Sequence, residues 1–138
     1  MIDRHFLVGL VTVLAMIVLI FSCHAQARDL GQWDQNAPTA QWFKNLKQPD
    51  LPNESCCGPA DAYYADSFEQ DKGQYVAIVT DERPDEPLKR PHVAIGTRIL
   101  IPNNKIKWNE GNPTGHGIVF MSPHPYFYVY CYVPPGGV

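Results

Sequence analysis

Hydrophobic and polar positions follow three different rules along this chain. Residues 6–21 are apolar without interruption by charge, residues 28–66 place apolar side chains in short helical clusters, and from residue 74 onward the dominant period is two. The last regime is clearest over residues 126–133. There Phe127, Val129, Cys131 and Val133 fall on one strand face, and Tyr126, Tyr128, Tyr130 and Tyr132 on the other.

In the middle regime, Thr39 can cap a short helix in which Trp42, Phe43 and Leu46 form an apolar face. Pro49 and Pro52 stop it. A second short helix is predicted from Pro59, with Asp61 in its first turn and Cys56 and Cys57 just ahead of it. Residues 74–80 read as a strand, and residues 81–91, with mixed charges and three prolines, as a solvated connecting loop. Residues 92–102 read as a long strand bent at Gly96, and Asn103-Asn104 as a turn. Lys105-Ile106-Lys107-Trp108 reads as a returning strand with Ile106 and Trp108 on one face. Residues 109–117 read as a polar, glycine-rich loop and residues 116–121 as another strand. The expected fold class is α+β, a small mainly antiparallel β-sheet or partly closed barrel with two short N-terminal helices.

The uninterrupted apolar run changes the picture of the N-terminus. Arg4 and His5 precede it and Ala25-Gln26-Ala27 follows it, an order that predicts a signal peptide over residues 1–27 and a single exported domain over residues 28–138. Retention of the segment as an anchor, or lipidation of Cys23 within Ile20-Phe21-Ser22-Cys23, are the competing readings, and only through them would the protein touch a membrane. Either way, the location is periplasmic or secreted.

All 13 prolines and all but one of the 10 glycines lie beyond residue 27, which favours short strands and turns over long helices. A formal net charge of −3 with dispersed lysines and arginines leaves no footprint for nucleic acid. Outside the cytoplasm Cys56, Cys57 and Cys131 are disulfide candidates. A bridge from Cys56 or Cys57 to Cys131 leaves one thiol over, and a vicinal Cys56–Cys57 bridge is the strained alternative.

Candidate chemistry is sparse. His124 lies between prolines and reads as an exposed turn residue; two imidazoles, His92 and His116, with a thiolate could hold copper or zinc, but no ligand spacing supports this, so no metal and no cofactor is expected. His116, between Gly115 and Gly117, is a candidate ligand contact; the tyrosine face is expected to lie covered under the N-terminal helix, and Tyr128 and Tyr130 are candidate contacts in the alternative of an open stacking platform. The acidic cluster of Asp81, Glu82, Asp85 and Glu86 has no glycine-bearing calcium loop around it. Cys57 ahead of a helix with His92 on a strand gives a candidate catalytic pair, because a helix N-terminus favours thiolate. Pro91-His92-Val93-Ala94-Ile95-Gly96 resembles the histidine strand of papain-like cell-wall peptidases, although the doublet of cysteines and the lack of a third orienting residue depart from that pattern. The doublet is also not the C-x-x-C of thiol redox proteins.

Ser55-Cys56-Cys57-Gly58, Gly111-Asn112-Pro113-Thr114-Gly115-His116-Gly117 and Tyr130-Cys131-Tyr132-Val133-Pro134-Pro135-Gly136-Gly137 together resemble the signature of a family of small uncharacterised exported bacterial proteins. The resemblance spans most of residues 40–138 and implies export and a single domain, with no activity, cofactor or partner attached. The expectation is a binding or structural module of the cell envelope, not an enzyme, whose partner is an envelope ligand or protein. Loops 81–91 and 109–117 are its natural recognition surfaces. The rival is Cys/His-dependent chemistry: metal binding, thiol redox or hydrolysis.

Overall fold

The computed structural model describes residues 34–86, 88–108, 111–123 and 125–136. The segment read as a signal, Cys23 and His124 lie outside these residues. Among the described residues one helix, α1 (Ala40–Asn45), precedes six strands: β1 (Ala62–Tyr64), β2 (Ser67–Asp71), β3 (Gln74–Ile78), β4 (Arg98–Ile101), β5 (Ile118–Ser122) and β6 (Tyr128–Val133). They form two open, three-stranded antiparallel sheets in the orders β1-β5-β6 and β2-β3-β4. Among the described residues no helix is long and apolar enough to cross a membrane.

The β1-β5-β6 sheet is covered on both faces, which explains the unbroken apolar run of β5. Ile118 and Phe120 point toward Phe43 and Leu46 of the α1 segment, while Val119 and Met121 point toward Ala77, Val79, Ile99 and Ile101 of the second sheet and its flanks. The helix forms where expected. Thr39 holds the cap position without a side-chain bond, and the helix ends where Leu46 turns extended and buries itself.

Five expectations need correction. The second N-terminal helix is absent: Pro59–Asp61 makes a single 3-10 turn and the chain straightens at Ala62 to pair with β5. Cys57, at φ 81°, adopts a left-handed conformation that no α-helix accommodates. Pairing lets Ala62 and Tyr63 fill opposite cores, which a short helix could not do. No barrel closes either, because each sheet ends in open edges of its own.

Residues 105–108 are not a returning strand. Lys105 ends a 3-10 turn (Asn103–Lys105) and turns its ammonium inward to Gln48 Oε1 (3.0 Å) and Asp50 Oδ1 (2.7 Å). Ile106 makes one parallel bridge to Tyr132, and Trp108 is exposed against Tyr75. The long strand at 92–102 likewise shortens to β4, since the chain bends at Gly96 (φ 83°).

The tyrosine row is broken as well. In the β5–β6 ladder Phe120 opposes Cys131 but Met121 opposes Val129, so Tyr130 is a bulge residue and the faces exchange there. Val129 and Tyr132 enter the core between the sheets, whereas Cys131 and Val133 enter the core under α1. Tyr132 is buried with its hydroxyl donating to Ala65 O (3.3 Å), and Tyr128 is exposed.

Candidate functional site

The site begins at the free edge of β1. Tyr64 donates its N–H to Asp81 Oδ2 (3.0 Å) and accepts at its carbonyl from Thr80 N–H (2.9 Å), so Asp81 is anchored just beyond β3. The Asp81 carboxylate accepts from the Arg83 backbone, from Arg83 Nε (2.9 Å) and Nη2 (2.7 Å), and from Arg90 Nη1 (2.7 Å). Both arginines also donate to Ala62 O at 3.0 Å. Arg90 continues the chain of charges to Asp85 Oδ1 (3.0 Å), whose other oxygen meets His92 Nδ1 (2.8 Å).

Burial raises the Asp81 pKa, but the hydrogen bonds from Arg83 and Arg90 outweigh it and hold the carboxyl well below the usual carboxylate range. Burial pulls Arg90 down, and its bonds to Asp81 and Asp85 lift it above the ordinary value, so it stays charged. Loop 81–91, expected to be solvated, therefore carries a buried ionic network at its ends.

Arg83 is the outward member of that network, its side chain 31 % exposed. Its guanidinium lies over the Tyr64 ring, 3.6 Å from the centroid. His116 stacks on the same ring at 4.1 Å with an interplanar angle of 11°. Two groups in contact with the centre of one ring cannot share a face, so Tyr64 is sandwiched between cation and imidazole. His116 is held in turn by Asp66, whose carboxylate oxygens lie 3.1 and 3.0 Å from Nδ1. Asp66 also accepts from Gly117 N–H (2.9 Å) and Thr80 Oγ1 (3.0 Å). Burial raises the Asp66 pKa, and the bonds from His116, Thr80 and Gly117 bring it below the ordinary value.

The glycine-rich motif gains a physical meaning here. Asn112 knits its loop together: Oδ1 accepts from Thr114 N (3.0 Å) and Oγ1 (2.7 Å), and Nδ2 donates to His116 O (2.5 Å). Gly115 takes φ 75°. Gly117 passes so close to Ala65 that a Cβ there would strike the Ala65 carbonyl. Loops 81–90 and 112–116 thus meet across Tyr64, and with the approach to α1 they enclose a cleft of about 490 Å³ lined by Thr39, Phe43, Tyr64, Arg83, Thr114 and His116 among others. Among the described residues, Arg83 Nη1, the Tyr64 hydroxyl and His116 Nε2 carry no hydrogen bond.

The other sequence candidates lie elsewhere. Cys56 and Cys131 form a disulfide with Cα atoms 5.5 Å apart. Cys57 is a buried free thiol; burial, then the charge of Asp61, pushes its pKa up to about 12, opposite to the thiolate expected of a helix start. His92 is 78 % exposed with Asp85 as its partner, and no contact described here joins it to Cys57. Tyr128 and Tyr130 pack edge-to-face at 5.1 Å, and neither lines the cleft. Among the described residues no group of three histidine, cysteine, aspartate or glutamate side chains is placed to hold a metal ion.

Tyr64, Asp66, Arg83 and Arg90 escaped the sequence reading. Tyr64 and Asp66 were hidden by the helix expected there, and the arginines by the charge-rich loop; the one legible pointer was His116 in its glycine frame. In comparisons with known proteins, no family model, no curated protein and no solved structure matches the chain.

Proposed function

We propose that this is an exported binding protein of the cell envelope, periplasmic or secreted, which recognises an envelope ligand or protein through the Arg83–Tyr64–His116 cleft. Export rests on residues 1–27, with a lipid on Cys23 or an uncleaved segment as the variant forms. The observation that carries the binding reading is convergence. Two loops distant in sequence bring a guanidinium, a phenol and an imidazole to one cleft, the guanidinium and imidazole held by carboxylates and each group with hydrogen-bonding capacity to spare among the described residues.

Binding is preferred over nucleophilic chemistry for a specific reason. The hydroxyl of Thr114 is committed to Asn112 Oδ1, and the thiol of Cys57 is buried and held protonated. The test is a nitrogen-15 NMR titration of the protein with an extract of the soluble envelope contents. The reading predicts amide shifts at Tyr64, Arg83, Thr114 and His116. Shifts confined to the exposed Tyr126–Tyr128 segment, or to the surroundings of Cys57, would overturn it.

A further inference from the structure

The hydrogen-bonding inventory of the cleft narrows the ligand. Asp66 is an acceptor on both oxygens, so the proton of a neutral His116 sits on Nδ1 and Nε2 is left as a lone pair on a residue that lines the cleft. Arg83 spends Nε and Nη2 on Asp81 and Ala62, leaving Nη1 as a pure donor. The Tyr64 hydroxyl can do either. Donor, dual-role group and acceptor therefore stand in a row around one ring.

Charge at the cleft is already answered from within. Arg83 is met by Asp81, a neutral His116 brings no charge, and Asp34 places a carboxylate on the rim. Among the described residues lining the cleft, an anionic ligand would face Asp34 and find its one arginine already paired. An extended peptide fares no better, because the edge of β1 beside the cleft is occupied. Ala62 O is taken by both arginines, Tyr64 N–H by Asp81 and Tyr64 O by Thr80. An added strand would find no ladder to join.

From this pattern we propose that the cleft takes a neutral polyhydroxylated ligand, an envelope oligosaccharide. One sugar hydroxyl accepts from Arg83 Nη1 and another donates to His116 Nε2. The exposed ring of Pro113 offers an apolar wall for a pyranose C–H face. The cleft volume of about 490 Å³ lies within the ~300–1,000 Å³ of small-ligand sites. This inference rests on the reading of the cleft as the recognition site.

The test is an NMR titration of the whole chain with neutral oligosaccharides, led by the N-acetylglucosamine tetramer and maltotetraose, with citrate as an anionic probe. The expected result is saturable shifts at Tyr64, Arg83 and His116 with an oligosaccharide and none with citrate. Tyr64→Phe, which keeps the stacked ring, should weaken binding roughly threefold to tenfold. His116→Ala, which removes the acceptor and not the fold's buried ties, should weaken it at least as much. A cleft that responds to citrate but to no oligosaccharide rejects the sugar class and leaves the recognition site standing. Oligosaccharide shifts confined to residues 126–128 reject both, as does silence of the cleft toward every probe and the envelope extract.

Discussion

Arg90 Nη1 lies 2.7 Å from Asp81 Oδ2, and both side chains are 1 % exposed. The same guanidinium donates to Ala62 O, Arg83 O and Asp85 Oδ1, so one buried cation closes loop 81–90 onto the edge of β1. Removing Arg90 leaves Asp81 to Arg83 alone, strips Arg83 O of its donor and empties a buried position. Arg90→Ala should cost about 3–5 kcal/mol of folding stability, read as a lower midpoint in chemical denaturation. Arg83→Ala, at a half-open position, should cost less. Equal and small effects would show that the pair does not hold the loop.

Stability should fall away in acid and in alkali for separate reasons. Asp81 and Asp66 ionise more readily folded than unfolded, so the unfolded chain gains protons first as pH drops through the ordinary carboxylate value of 3.8, and the fold loses their contribution there. Cys57, Tyr63 and Tyr132 run the other way. Burial raises each to about 12, so above their ordinary 9.0 and 10.0 the unfolded chain sheds protons first and stability drains as pH climbs toward 12. Denaturation midpoints against pH should show a plateau between about pH 5 and 8. A steady rise in stability from pH 8 to 11 would contradict the assignment.

The Cys56–Cys131 bridge closes a separation of 75 residues. Reduction should cost about 4 kcal/mol on the chain-entropy account. Peptide mapping after alkylation should find Cys57 unmodified in native protein and modified in guanidinium. Ready native labelling of Cys57 would count against its burial.

Gly117→Ala tests the approach of two strands behind the site. The added methyl would meet the Ala65 carbonyl, force β5 away from Ala65, and loosen the Gly117 N–H bond to Asp66. A loss of about 2–3 kcal/mol is expected, together with a shifted His116 ring signal. An unchanged denaturation midpoint would show that the strands give way freely.

Legibility in the sequence tracked how much of each element depends on its own residues. The α1 segment, β3 and β5 were legible because Phe43 with Leu46, and the β-rich runs at 74–80 and 116–121, carry their period locally. β1 was not, since Ala62-Tyr63-Tyr64 is a strand only because β5 lies beside it. β2 was hidden by the opposite cause: all five of its residues are exposed and it is fixed by pairing with β3 across the Lys72-Gly73 turn. The bulge at Tyr130 inverted the faces of β6, which no count of alternation could show. At the site, His116 stood out by its glycine neighbours, but Arg83 and Arg90 looked like members of a solvated loop. Their pairing, and the burial of Arg90, follow from the Asp81 carboxylate and the β1 edge, both assembled only in three dimensions.

The account turns on one nitrogen. Asp66 fixes the proton of the neutral His116 ring on Nδ1 and leaves Nε2 as the acceptor of a residue that lines the cleft. Long-range nitrogen-15 spectra of the His116 ring, recorded before and after addition of envelope extract, read this atom directly. The prediction is an unprotonated Nε2 in the free neutral ring whose resonance moves on binding while Nδ1 stays protonated. A proton on Nε2 in the free neutral ring, or an Nε2 signal that stays still while the extract shifts other parts of the protein, would contradict it.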